Sequence, residues 1–299
     1  MQQAVGDGAA TMIGVLLALG ASGAWGLSDF LAGVRTRTMA LPAVLLISQL
    51  TGTVVLTLGV WGRAGTGSGL TPLPGTSMIW AALAGAAGVT ALGLAYLAMA
   101  RAGIAIVAPL AAVATALPVA FGLLQGETLT PRAVIGILFT LAGTCAAAFP
   151  DGPGHTHWAD AGGLLAAAGS ALCTGAFFVL MRAASTQDPM AATLTNRACA
   201  GVLVSAWALG RWRQVAEVRR ARPLALLAVG VVGIGDATAE WCFAAASTQV
   251  PLSVVSPLSS LYPAVAVLLA LVVLRERLRP VGVAGVTCAL IGVVLLAGG

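Results

Sequence analysis

Asp236 and Glu240 stand four residues apart in an apolar run, so a helix places both carboxylates on one face. Two carboxylates held close in low dielectric should not both stay ionised. Such a pair suits proton coupling or a cationic substrate. The alternative is a purely structural ion pair with an Arg from a neighbouring helix. Arg197, beside Asn196 inside another apolar run, is the candidate partner, either as counter-ion or as ligand to a substrate carboxylate. Asp29 follows Trp25 near the end of the first apolar run, where it is either a site residue or a solvated interfacial group. A charge at mid-helix costs about 2.5–3.5 kcal/mol on membrane-insertion scales, so such groups normally face the bundle interior.

Softer candidates surround these. Trp25, Tyr96, Trp241 and Tyr262 are expected either to line a cavity or to anchor helix ends at the interface. Ser256 and Ser260, with Pro257 and Pro263, make one apolar run polar and broken; Pro109 and Pro118 do the same for another. Proline leaves a carbonyl without its helical partner. Within a membrane that is tolerated where the backbone is buried in protein or lines a cavity. Glu127 and Glu276, each before a Pro that opens a helix, read as structural groups that pair with Arg or cap backbone. Gly230 and Gly233 are expected to give the Asp236 helix room to move. His155 and His157 in a Gly/Pro linker are a weak metal signal, and no metal site or cofactor is expected. Cys145, Cys173, Cys199, Cys242 and Cys288 all lie in apolar runs without ligand spacing and read as small buried hydrophobes.

The elements that position these groups follow from composition. Only 8% of the 299 residues are charged and 59% are hydrophobic, against roughly a quarter charged in soluble domains. So few charges cannot cover a soluble surface; a bilayer removes that need. The positive charges behind the net +5 are all Arg; apart from Arg197 these sit in or beside short gaps between apolar runs and form no continuous face, which excludes a nucleic-acid-binding surface. A spanning helix needs about 20 apolar residues. Ten such segments are expected, at 11–34, 40–62, 76–100, 103–124, 131–149, 160–182, 189–210, 223–246, 250–274 and 279–297. The first run is too long for a cleaved signal peptide and is expected to remain as a span. The fold class is therefore an all-α integral membrane protein.

The two halves repeat. Glu127-x-Leu129-x-Pro131 returns as Glu276-x-Leu278-x-Pro280, and the same 149-residue offset carries Gly136 onto Gly285 and Gly143 onto Gly292. These Gly pairs are seven apart and should allow close helix contact. At an offset of 148, Pro109 matches Pro257; at 147, Gln49 falls on Asn196. Five spans per half is an odd number, so the halves must enter the membrane with opposite orientation. Inverted repeats with a midplane site between them are a recurrent transporter architecture.

The stretch Pro263–Leu278, followed by Pro280 and the Gly285/Gly292 pair, resembles the signature of EamA-type proteins of the drug/metabolite transporter superfamily. A second copy surrounds Glu127–Pro131. Trp25-Gly26 with Phe30 resembles the family's first-helix motif, and Arg197 resembles its Arg early in the seventh helix. Two departures stand out: Ala114 occupies the position of Pro263, and Gln49-Leu50 that of Asn196-Arg197. The resemblance implies two inverted five-helix EamA repeats, 11–149 and 160–297, joined by the linker 150–159. It also implies a monomer or homodimer in the cell (plasma or inner) membrane that transports metabolites, often outward.

The leading functional expectation is thus a secondary transporter of a small amino-acid-like or amphipathic compound, working by alternating access with protons as a candidate coupling ion. The expected partners are a small-molecule substrate and the lipid bilayer. A non-transporting scaffold is the alternative. An intramembrane enzyme is disfavoured, because both His lie in the linker and neither GxSxG nor HExxH occurs. No GxxxxGK[ST] phosphate loop occurs to support direct ATP driving. The uneven Arg distribution favours both termini outside, whereas the resemblance implies both inside. Alkaline phosphatase fused at Gly299 decides between them: activity means an external C-terminus.

Overall fold

The computed structural model describes residues 2–36, 38–65, 72–102, 114–147, 161–216, 221–274 and 280–297. Among them are twelve helices: α1 (Gln2–Thr36), α2 (Leu41–Gly65), α3 (Gly75–Ala102), α4 (Ala116–Leu124), α5 (Pro131–Ala147), α6 (Ala161–Ala184), α7 (Pro189–Leu209), α8 (Trp212–Ala216), α9 (Pro223–Ser247), α10 (Leu252–Ser259), α11 (Tyr262–Leu274) and α12 (Pro280–Ala297). Five stretches are long and apolar enough to cross a membrane: Ala10–Thr36, Leu41–Gly65, Gly75–Ala95, Ala161–Ala184 and Pro223–Ser247. Shorter apolar helices, including Pro131–Ala146 and Pro280–Leu296, accompany them. Large apolar side chains such as Leu16, Leu58, Trp61, Leu165, Val202 and Val272 point outward. Such an apolar exterior suits lipid rather than water. The protein is a multi-pass membrane protein.

Local chemistry sets several helix ends. Pro131, Pro223 and Pro280 open α5, α9 and α12, where a missing N–H costs nothing and the fixed φ is already helical. Asp188 caps α7 by accepting from the Met190 and Ala191 amides at 2.9 and 3.2 Å, and Arg63 approaches the same carboxylate at 3.4 Å. The small helix α8 was not expected from the sequence. The expected span 250–274 is two helices, with a turn at Ser260–Leu261 between α10 and α11. Pro257 sits inside α10 without ending it; the break comes before Pro263, which cannot donate to the Ser259 carbonyl. Pro118 lies in the first turn of α4, where the amide it lacks would have no intrahelical partner. A turn at Ala114–Thr115 precedes it. Pro109, Glu276, His155 and His157 lie outside the described residues.

Helix contacts come in matched pairs. α1 packs on α9 as α6 packs on α3, α2 on α9 as α7 on α3, and α1 on α10 and α11 as α6 on α4. The α2·α7 and α5·α12 contacts each join corresponding elements. The match extends to single atoms. A Cβ on Gly85 would collide with the Asn196 carbonyl, and one on Gly233 with the Ser48 carbonyl, each partner being 148 residues away from its counterpart. One on Gly26 would strike the Tyr262 carbonyl, and one on Gly175 the Ala114 carbonyl. At the α5·α12 crossing, Gly143 faces the backbone of Ala289 and Gly285, while Gly292 faces that of Thr140 and Gly136. Lipid gives helices no hydrophobic reason to associate, so such close backbone approach by small residues supplies the packing. Gly233 is thus a point of close backbone contact with α2.

Glu127 joins the halves at one end. Its Oε1 accepts from the Leu252 amide at 2.8 Å and its Oε2 from the Ser253 amide at 3.0 Å, capping α10. A carboxylate there meets both unpaired donors and the positive end of the helix dipole. Glu127→Ala is expected to cost on the order of 1.5–3 kcal/mol, the range for hydrogen bonds to charged groups. Glu127→Gln, which keeps one acceptor oxygen, should recover part of it. Thermal melting in detergent measures both, and an unaltered melt for Glu127→Ala would refute the cap's importance.

Candidate functional site

The described helices form a half-open cavity of about 290 Å³, lined from seven of them. α1 contributes Trp25 and Asp29, α2 Gln49, α7 Asn196 and Ala200, α9 Asp236 and Glu240, and α11 Tyr262. The facing wall is built from small residues of α3 (Gly85, Gly88, Ala91, Ala95) and α6 (Ala167, Ser170, Ala171, Thr174), with Phe177 and Phe178 beside them. The space exists because that wall carries so little side chain. Gly85 serves twice, admitting the α7 backbone and leaving room in front of Asn196.

Arg197 lies behind the lining, with a side chain 0% exposed. Its Nε donates to Glu240 Oε2 at 2.9 Å, its Nη1 to Gln49 Oε1 at 2.9 Å, and its Nη2 pairs with Asp236 Oδ2 at 2.7 Å. Gln49 reaches it because Gly52 lets α2 close on Gly233 of α9. Glu240 Oε2 also accepts from Asn196 Nδ2 at 2.9 Å. Trp25 Nε1 donates to Asp236 Oδ1 at 3.0 Å, tying the first helix to the cluster. The carboxylates are graded in access: Glu240 is 12% exposed and Asp236 30%. Asp29 is exposed and lies within electrostatic reach of both Asp236 and Tyr262. A buried cation therefore holds two carboxylates whose other edges face an internal space, and a third carboxylate stands in front.

Aromatic rings complete the wall. Trp25 sits 6.2 Å from Tyr262, 6.4 Å from Phe177 and 6.0 Å from Phe178, between ring centroids. Phe178 and Phe243 pack at 4.7 Å behind it. Edge and tilted arrangements of this kind are the favoured geometries of aromatic pairs.

Of the residues singled out in the sequence, Asp236, Glu240, Asn196, Asp29, Trp25 and Tyr262 meet at this cavity, with Arg197 immediately behind. Trp241 does not line it; it is 36% exposed and points away, as a ring at the lipid-facing surface would. Ser256 is buried and donates to the Leu252 carbonyl at 2.7 Å, and the Ser260 amide donates to Ser256 O. Both stabilise the broken helix and neither lines the space. The Tyr96 side chain lies outside the described residues. Gln49, Phe177 and Phe178 were missed as site residues. For Gln49 a signal existed: it falls on Asn196 in the repeat, and both amides end up on the same ion cluster. Among the described residues no group of His, Cys, Asp and Glu is arranged to hold a metal ion.

Residues 161–298 match the EamA-like transporter family. No curated protein matches the chain. A solved structure described as "Crystal structure of protein" is similar over 96% of this chain and 96% of its own, with a TM-score of 0.68 at 20% identity, which shows a shared fold. Over its second half, residues 161–298, the chain is thus similar to the EamA-like transporters.

Proposed function

We propose that the protein is a secondary transporter that moves a small amphipathic metabolite across the cell membrane by alternating access, exchanging it for protons at Asp236 and Glu240. The observation that carries this reading is the shared cation: both carboxylates rest on Arg197 while facing one internal cavity. A proton or a substrate arriving at either carboxylate changes what Arg197 must balance. Binding and helix rearrangement are thereby linked through one buried group. The architecture we propose is two inverted five-helix repeats, 11–149 and 160–297, with the site between them. The like contacts made at Gly85 and at Gly233, at Gly26 and at Gly175, and at Gly143 and at Gly292 support it.

Glu240→Gln separates the roles. Its amide oxygen still accepts from Arg197, and Asp236 remains ionic, so the fold should persist. In proteoliposomes carrying a lumenal pH dye, a panel of small amphipathic solutes should include one whose entry moves lumenal pH faster than in empty vesicles. Glu240→Gln should cut that proton movement roughly tenfold or more while counterflow of the same solute continues, as loss of one general proton carrier implies. Undiminished proton movement in the variant removes Glu240 from the coupling. Folded wild-type protein that moves no solute beyond the empty-vesicle rate favours the scaffold.

A further inference from the structure

The lining of the cavity is unbalanced, and the imbalance bears on what enters it. Among the described residues, three carboxylates, Asp29, Asp236 and Glu240, line the space, and no cationic side chain does. Arg197 is wholly buried behind them, its Nε and Nη1 hydrogen-bonded to Glu240 and Gln49 and its Nη2 in ion-pair contact with Asp236. A substrate carboxylate could reach it only by displacing those partners. On the opposite wall the hydroxyls already donate elsewhere, Ser170 to the Ala91 carbonyl at 2.8 Å and Thr174 to the Ser170 carbonyl at 2.9 Å. An anionic group would therefore sit among three carboxylates with only the Gln49 amide and the Tyr262 hydroxyl left on the described lining as further polar donors, a costly arrangement in low dielectric.

For a donor the site is well prepared. Asn196, 1% exposed, lines the cavity and gives its amide nitrogen to Glu240, which leaves Oδ1 an acceptor without a partner among the described residues. No hydrogen bond or ion pair engages Asp29 among the described residues either, although Asp236 and Glu240 each have two donors. Beside them stand the faces and edges of Trp25, Tyr262, Phe177 and Phe178, which favour a cation and an apolar ring alike. The volume lies at the small end of the range of roughly 300–1,000 Å³ typical of ligand pockets.

We infer that this cavity binds a protonated primary amine with an apolar body the size of a single ring, its ammonium held by Asp29 against the aromatic wall. The inference names the substrate class of the site proposed above and rests on that reading only for the use to which binding is put. It narrows the amino-acid-like expectation: the ammonium is welcome and the carboxylate is not.

The test uses the full-length protein in detergent, with phenethylamine as probe and thermal melting as readout. Phenethylamine should raise the melting temperature, as any ligand selective for the folded state must. Its isosteres 2-phenylethanol and 3-phenylpropionate should not. Its N-trimethylated form, which lacks N–H donors, and phenylalanine should bind about tenfold or more weaker, the scale of a lost charge-assisted hydrogen bond. Asp29→Asn, an exposed substitution that leaves Arg197 paired, should weaken phenethylamine by a similar factor. Phenylalanine or phenylpropionate binding as tightly as the amine overturns the inference, as does a panel in which nothing shifts the melt. Retained amine affinity in Asp29→Asn removes the assigned contact and likewise overturns it. Counterflow in proteoliposomes keeps the two proposals apart. Amine binding without flux defeats the transporter reading and leaves the ligand class standing; flux of an acid or zwitterion without amine binding does the reverse.

Discussion

Arg197→Met should leave little folded protein, and adding Asp236→Asn with Glu240→Gln should restore it. The guanidinium has no exposed surface and balances two carboxylates at 2.7 and 2.9 Å, with Gln49 as a third partner. Removing it strands charges that were placed in low dielectric only because each had the other. Breaking a buried pair in this way costs about 3–5 kcal/mol, which is a large part of the 5–15 kcal/mol that holds most domains together. Replacing all the charged members together by neutral groups of similar shape is by contrast often near neutral. The triple variant should thus melt close to wild type, and proton-coupled flux should be absent from it. Yield after detergent extraction and the melting temperature measure the first part; the lumenal pH dye measures the second. If Arg197→Met folds as well as the triple variant, the cluster is not the ionic unit that the geometry describes. The same reasoning bears on neutralising Asp236 and Glu240 together while keeping Arg197. That pair of changes strands the cation and should destabilise the fold, so it cannot isolate a coupling defect.

Much of this cluster was legible because membranes make charge conspicuous. Asp236, Glu240 and Arg197 stand out in a chain where only 8% of residues are charged, and the four-residue spacing put the two carboxylates on one face without any structure. Which of the open roles Arg197 takes depended on where α7 meets α9, a long-range contact with no local trace. Trp25 was visible as an aromatic near a helix end, yet its bond to Asp236 spans 211 residues and could not be read from spacing. Trp241 shows the opposite failure. It neighbours Glu240 in sequence, but one residue along a helix is about 100° around it, enough to turn the ring outward. The Phe177 and Phe178 wall was hidden among ordinary apolar residues of a spanning helix, where nothing distinguishes a cavity-facing ring from a lipid-facing one. The break in the ninth apolar run was expected from Pro257 and Pro263. It falls between them because the chain resumes its helix where Pro263 can occupy the opening turn.

Gly85→Val and Gly233→Val should damage the protein to nearly the same degree, although they lie in different halves and only Gly85 lines the cavity. Each position lets a neighbouring backbone approach so closely that a Cβ would run into a carbonyl, Asn196 O for Gly85 and Ser48 O for Gly233. A carbonyl in a helix cannot rotate aside as a side chain can, so α3 must part from α7, or α9 from α2. Forcing extra atoms into a packed contact costs typically about 1–3 kcal/mol, with the upper end expected where backbone must move. In Gly233→Val the consequence reaches the site directly, because Ser48 is adjacent to Gln49 and displacing α2 withdraws a partner of Arg197. In Gly85→Val the displaced carbonyl belongs to Asn196, adjacent to Arg197 itself. A Cβ at Gly201, inside α7, meets nothing within 4 Å, so Gly201→Ala should be neutral or stabilise by up to about 1 kcal/mol through helix propensity. Melting temperatures of the three variants decide the matter. Matched losses at Gly85 and Gly233 beside an unharmed Gly201 are what two inverted copies of one packing scheme require. A large loss at one glycine and none at the other would mean that the 148-residue correspondence does not extend to the forces holding the bundle together.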